Sequence, residues 1–260
     1  MKTELSKNRI GLALGGGAAL GAAHIGVLHA IEDFDIDIHC ISGASVGAVV
    51  GTFYAFGVPL EEVKHFALHL GWSDILHLNI SKMGLLSNEA LGRMVQSRLG
   101  NCCLEDACLP LAIIATDVER AEEVIITRGD IKRAIMASTA LPGIFLPIEY
   151  EGRMLVDGGL LQNVPLSPLS DMGADFRIGV DLTAKRGQYP RPQNLIGVMT
   201  NAIEMGIART TRFQAQIADL LICPDLSDFT GVDANHTDKL IQRGYEAAWQ
   251  ALNAKERGKS

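Results

Sequence analysis

The sequence predicts an α/β fold: a mostly parallel central sheet covered by helices on both faces. Three observations carry this. The strand-like segments are unbroken apolar runs, as strands buried on both faces are. They alternate with stretches of helical periodicity. The chain has 260 residues with no internal repeat or linker to split it, so 1–260 reads as one domain.

Ile10 to Leu14 is a short apolar run ending in Gly15-Gly16-Gly17, which reads as a buried strand. Leu20 to Phe34 carries Ile25, Leu28 and Ile31 at helical spacing and should pack on it. Ile36 to Ile41 is a second strand, and Val46 to Phe56 a small-residue helix stopped by Gly57-Val58-Pro59. Leu60 to Leu70 is a more polar helix, and 71–86 is irregular. Ser87 is placed to cap a helix running to Leu99. Leu111 to Thr116 and Val124 to Thr127 are strand-like, and Asp130 caps a helix through Ala137. Arg153 to Val156 and Phe176 to Val180 are strands, and 184–194 is a loop. Leu195 to Gln216 is a long helix, Leu220 to Cys223 a last strand, and His236 to Ala254 a last helix.

Composition narrows the function classes. A net charge of −7, with no basic cluster longer than Lys185-Arg186, argues against a nucleic-acid partner and against electrostatic capture by anionic lipid. Five cysteines, an odd count with no C-x-x-C, fit a reducing compartment better than a disulfide framework or zinc site. No apolar stretch precedes Ile10 and no run reaches about 18 apolar residues. A cytoplasmic location, free or peripheral to a membrane, is the expectation.

Three segments carry chemistry. Gly43-Ala44-Ser45-Val46-Gly47 fits G-x-S-x-G between a buried strand and a helix. Such a turn lifts the serine hydroxyl clear of the sheet at a helix N-terminus, where developing negative charge is favoured. The alternative is a tight turn with Ser45 as an ordinary N-cap. Gly15-Gly16-Gly17, with Gly21 opening the helix, offers backbone N–H groups for a phosphate or an oxyanion. A looser dinucleotide pattern, Gly15-x-Gly17-x-x-x-Gly21, also fits. The acid expected after the next strand is missing, however, and no Walker lysine follows. Asp157-Gly158-Gly159 ends a strand, where an acid points into a crevice or makes an Asx-turn. Nucleophile, base and oxyanion hole are together the parts of an acyl-transfer site. Of the seven histidines only His236 follows Asp157, as a Ser–Asp–His order would need, and its polar surroundings read as a surface helix start. His65 and His69 share a helix face but lack a third metal ligand.

Taken together, the chain resembles the bacterial patatin-like phospholipases. The matching segments begin with Leu12-Ala13-Leu14-Gly15-Gly16-Gly17, Ala23-His24-Ile25-Gly26-Val27-Leu28 and Gly43 to Ala48. They continue with Ala115-Thr116-Asp117, Leu141 to Phe145, Leu155 to Leu160, Asn163-Val164-Pro165 and Gly244 to Ala248. The resemblance implies a three-layer sandwich and a Ser–Asp dyad without a catalytic histidine. Ser45 would be the nucleophile and Asp157 the base. The oxyanion hole would come from the N–H groups of Gly16, Gly17, Ala18 and Val46. Gly15, Gly21, Gly43, Gly47, Gly158 and Gly159 would shape the turns.

It implies a serine lipid acyl hydrolase of phospholipase A or esterase type, needing no cofactor or metal. Its partners would be a lipid or acyl-ester substrate and, transiently, a membrane surface; a homo-oligomer is compatible with it. Two positions depart from the family pattern. Ala18 stands where glycine is usual and is tolerable only at negative φ. Leu20 replaces a basic residue, which should bias the enzyme toward neutral esters. It also keeps open a catalytically weak acyl-binding regulator on the same fold. Segment 72–86, dense in apolar residues such as Trp72, Ile75 and Leu76, is expected as a lid or groove wall over Ser45, or as a loop packed into the core.

Overall fold

The computed structural model describes residues 8–69, 86–185, 189, 191–229 and 236–258. The expected lid segment lies outside the described residues except for Leu86, which pairs with Phe145.

The chain opens with β1 (Ile10–Leu14), a 3₁₀ turn (Ala18–Gly21), α1 (Ala22–Asp33), β2 (Ile38–Ala44), α2 (Val46–Ala55) and α3 (Leu60–His69). Next come α4 (Glu89–Leu99), β3 (Leu111–Asp117), β4 (Glu122–Ile126), α5 (Ile131–Ser138), β5 (Ile148–Tyr150) and β6 (Arg153–Asp157). The last elements are α6 (Gly159–Gln162), α7 (Ser167–Asp171), β7 (Phe176–Val180), α8 (Leu195–Gln214), β8 (Leu220–Ile222) and α9 (Thr237–Arg257). Asp130 caps α5 as expected, accepting from the Arg133 N–H at 2.9 Å. The cap of α4 is Asn88 rather than Ser87, whose hydroxyl instead accepts from the Glu89 N–H at 3.2 Å. β5 escapes the apolar pattern because only Tyr150 of its three residues is buried.

Hydrogen-bonded neighbours among the eight strands follow β5-β6-β3-β2-β1-β7-β8, with β6 and β2 end to end along one edge of β3 and β4 along its other edge. The run from β3 through β2, β1 and β7 to β8 is parallel, whereas β4, β5 and β6 are antiparallel. Successive side chains of β1 face opposite ways. Leu12 and Leu14 join the main core with α1, α2 and α9, while Ala13 and Cys40 meet Val164, Leu166 and Leu169 on the opposite face. The 12–14 stretch is apolar throughout because both sides are covered.

The first helix and the last seal the main-core face together. A Cβ on Gly26 would fall 1.8 Å from the Ile241 carbonyl oxygen, and one on Gly244 would fall 1.9 Å from that of Ala23. Glycine at both positions lets the two backbones touch. Tyr245 donates to Asp33 at 2.9 Å across the same seam. This explains why the 244–248 motif, far from any chemistry, belongs with the 23–28 motif. Among the described residues no helix is long and apolar enough to cross a membrane.

Candidate active site

The register of β3 brings the serine and the aspartate together. One edge of β3 is taken by β4 from Ile113 to Asp117. On the other edge β2 pairs in parallel as far as Ala44 opposite Ile114, and β6 pairs antiparallel with Asp157 opposite Ala115. Two strands thus share a single edge of β3, approaching from opposite ends. The residue that follows Ala44 is Ser45, so it abuts the last residue of β6, which is Asp157.

Ser45 sits at φ 53° and ψ −128°, a region costly for any L-residue, by about 1–3 kcal/mol. Its side chain makes no capping bond to α2, so the ordinary N-cap reading fails. The hydroxyl instead faces the Asp157 carboxylate, close enough to favour its ionised form. The Ser45 N–H donates to the Ser138 hydroxyl at 2.9 Å. Ser45 is half-buried, whereas Asp157 is only 4 % exposed. Burial pushes the Asp157 carboxyl up to about 6, against the opposing influence of the Ser45 hydroxyl and of the Gly159 N–H, which donates at 2.8 Å. A buried carboxylate with few donors is more basic than one in water. Its backbone is pinned as well. Its carbonyl accepts from the Thr116 hydroxyl at 3.0 Å, and its N–H donates to the Ala140 carbonyl at 3.0 Å.

The glycine loop arrives from β1 on the far side of β2. A Cβ on Gly47 would meet the Leu14 carbonyl oxygen at 2.1 Å, and one on Gly21 would meet Val46 at the same distance, so the loop and α2 are in direct contact. Gly43 and Gly158 are closed in likewise, against Ala48 and the Ile114 carbonyl. Gly15 is held from both sides. Its N–H donates to the Val180 carbonyl at 3.0 Å, and its carbonyl lies 2.7 Å from His24 Nε2. His24 is fully buried, and desolvation lowers it to about 4, so it is a neutral donor here.

Three expectations need correction. The Gly16 N–H does not face the serine pocket, because Asn163 takes it, at 3.1 Å to Oδ1 and 3.3 Å to the carbonyl. Ala18 has φ 50°, not the negative value expected, since the chain must reverse there to enter the 3₁₀ turn. Leu20 is wholly buried in the main core. It does not border the serine, and an arginine there would put a charge into apolar surroundings rather than beside a substrate. The N–H groups of Gly17, Ala18 and Val46 lie at the starts of the 3₁₀ turn and α2, outside any helical ladder. His236 begins α9 and sets its ring 5.7 Å from Phe229.

The sequence reading assigns no role to His24, Ser138 or Asn163. Asn163 had a visible signal, since it lies just beyond Asp157-Gly158-Gly159. Ser138 had none: it is an ordinary residue at the end of a short helix. Ser42 adds a further tie, donating to the Pro165 carbonyl and so holding the Asn163 segment against β2.

The patatin-like phospholipase family model matches residues 12–170, which include both members of the pair. An uncharacterised NTE family protein of Mycobacterium tuberculosis is 41% identical over 180 residues, 68% of this chain and 50% of that protein. Lysophospholipase NTE1 of Cryptococcus neoformans is 32% identical over 194 residues, 72% of this chain and 12% of that protein. The chain therefore spans about half the length of its mycobacterial relatives and less of the fungal one. Among solved structures, VipD of Legionella pneumophila superposes with a TM-score of 0.65 at 14% identity, covering 95% of this chain and 67% of that one. The type III effector ExoU superposes with a TM-score of 0.56 at 17% identity, covering 96% and 53%. Fold and sequence agree: the chain belongs to the patatin-like phospholipase family.

Proposed function

We propose that this protein is a serine lipid acyl hydrolase that cleaves carboxylic esters of fatty acids through a Ser45–Asp157 dyad. One observation carries the reading: a strained serine at the mouth of a helix sets its hydroxyl against a buried carboxylate of raised basicity. Asp157 takes the hydroxyl proton as Ser45 Oγ bonds to the acyl carbon. The carbonyl oxygen becomes an oxyanion, held by the N–H groups of Gly17, Ala18 and Val46. The tetrahedral species expels the alcohol, which leaves with the proton from Asp157. Water then attacks the acyl-enzyme, Asp157 accepting its proton, and the fatty acid leaves as Ser45 regains its hydrogen. Gly16 is a clamp rather than a donor in this scheme. The lysophospholipase names of the fungal relatives favour single-chain phospholipids as substrates.

The test is hydrolysis of p-nitrophenyl esters and of lysophosphatidylcholine, run alongside labelling by a fluorophosphonate. Wild type should hydrolyse and label, and Ser45→Ala should do neither. Hydrolysis that survives Ser45→Ala, or a folded wild type inert in every assay, overturns the reading.

A further inference from the structure

Helix α8 is built inside out. Seven of the eleven exposed large hydrophobic residues among the described residues lie on it or in the turn after it, and its only buried residue is Thr211. Leu195, Val198, Met199, Ala202, Met205 and Phe213 recur at three- and four-residue spacing, which places them on one side of a helix. All six are exposed. The opposite side, turned toward the protein, carries Gly197, Thr200, Glu204 and Thr211. The stripe that ought to face a core faces water.

We propose that this stripe is a self-association surface, on which α8 of a second copy of this chain packs antiparallel. The exposed area fits a docking face: the apolar side chains of the stripe present on the order of 600 Å², approaching the roughly 800 Å² each partner gives to a standard interface. An exposed apolar patch of that size marks a contact surface on a folded protein.

The middle of the stripe points to the same occupant. Ala202 and Gly206 sit one turn apart, and a Cβ on Gly206 would meet nothing within 4 Å. Glycine inside a helix costs about 1 kcal/mol relative to alanine, and nothing in the helix's own packing asks for it. Close approach of another helix does. A lipid surface would gain nothing from glycine there.

Charge sets the direction. Arg209 and Arg212 are exposed near one end of the stripe. A parallel pair would stack each arginine on its own copy, whereas an antiparallel pair moves them to opposite ends. With the crossing near Glu204, Leu195 then meets Phe213 of the partner subunit. Met199 lies along the stem of Arg209 of the partner subunit, whose guanidinium stays in water. The first turns of α8 also reach toward the partner's site, because Gln214 donates to the Leu161 carbonyl of α6, which starts just past Asp157.

Sedimentation of the full chain at micromolar concentration tests this. Wild type should sediment at twice the chain mass and Gly206→Leu at the chain mass. Leucine is the better helix former, so this loss cannot be blamed on unfolding, and an unchanged or higher melting temperature checks that. Met205→Glu should also be monomeric. On oxidation, Leu195→Cys combined with Phe213→Cys should give a covalent dimer that Leu195→Cys alone does not give. A monomeric wild type overturns the proposal, including one that instead binds phosphatidylglycerol vesicles and loses that binding in Met205→Glu. So does a dimer that persists in Gly206→Leu, or crosslinking by Leu195→Cys alone.

Discussion

Two corners at the carboxyl edge of the sheet make the same manoeuvre with different means. After β1 the chain turns through Gly15-Gly16-Gly17 and enters a 3₁₀ turn at Ala18, φ 50°. After β2 it turns through Ser45, φ 53°, and enters α2. Both place a non-glycine residue at positive φ just where a helix begins. At Ser45 the side chain has a neighbour to act on: the hydroxyl faces the Asp157 carboxylate, and the N–H donates to Ser138. At Ala18 the methyl group serves nothing, and only the backbone is wanted. A strained corner is thus irreplaceable where the side chain acts, and improvable where the main chain alone does.

The largest expected effect tests the first half of that contrast. Asp157→Asn removes the proton acceptor while keeping shape, and kcat should fall by about 10⁴-fold with the fold intact by circular dichroism. A fall of less than tenfold would mean that the strained serine does not depend on its partner. Ser138→Ala tests the support. It leaves the Ser45 N–H without its acceptor, and kcat should drop roughly 10- to 100-fold at nearly constant KM, because alignment and not binding is lost. Equal losses in stability and kcat would make Ser138 merely structural.

Acid should have a comparable effect. As the proposed base, Asp157 would work only when ionised, and its carboxyl is raised to about 6 by burial. The kcat/KM profile should therefore be flat above that pH and fall about tenfold per pH unit below it. An ordinary aspartate would hold activity down to about pH 4, and such a profile would contradict the buried-base account. The smallest effect belongs to the other corner. Ala18→Gly should raise stability by about 1 kcal/mol, read from denaturant unfolding, and leave kcat within a few-fold. Ser45→Gly should stabilise comparably and abolish activity. If Ala18→Gly destabilises the protein, the two corners are not equivalent in strain and the comparison breaks.

Much of the site was legible because its signals are local. Ser45 stands between glycines at a strand-to-helix crossing, and Asp157 ends a strand ahead of two more. The glycine loop was found for the same reason. What misled was also local. Leu20 read as a substitution beside the serine, yet a helical turn decides which way a side chain points, and here it points into the core. Gly16 looked like a free donor because nothing nearby in sequence competes for its N–H, while Asn163, brought in from beyond β6, does.

The sequence by itself determined the alternation of strands and helices, the helix-start role of Asp130, and the residue types of the serine corner. These follow from periodicity, capping and backbone freedom, which act over a few residues. Only the tertiary structure decided that β2 and β6 would meet on one edge of β3, bringing Ser45 against Asp157. It also decided that two helices of similar length would differ in kind. α9 turns Leu240, Gly244, Ala248 and Leu252 into the core, while α8 turns its apolar stripe outward. Periodicity states that a helix has an apolar face. Which way that face turns depends on what the rest of the chain has already packed, and that is a sum over distant contacts that no local window contains.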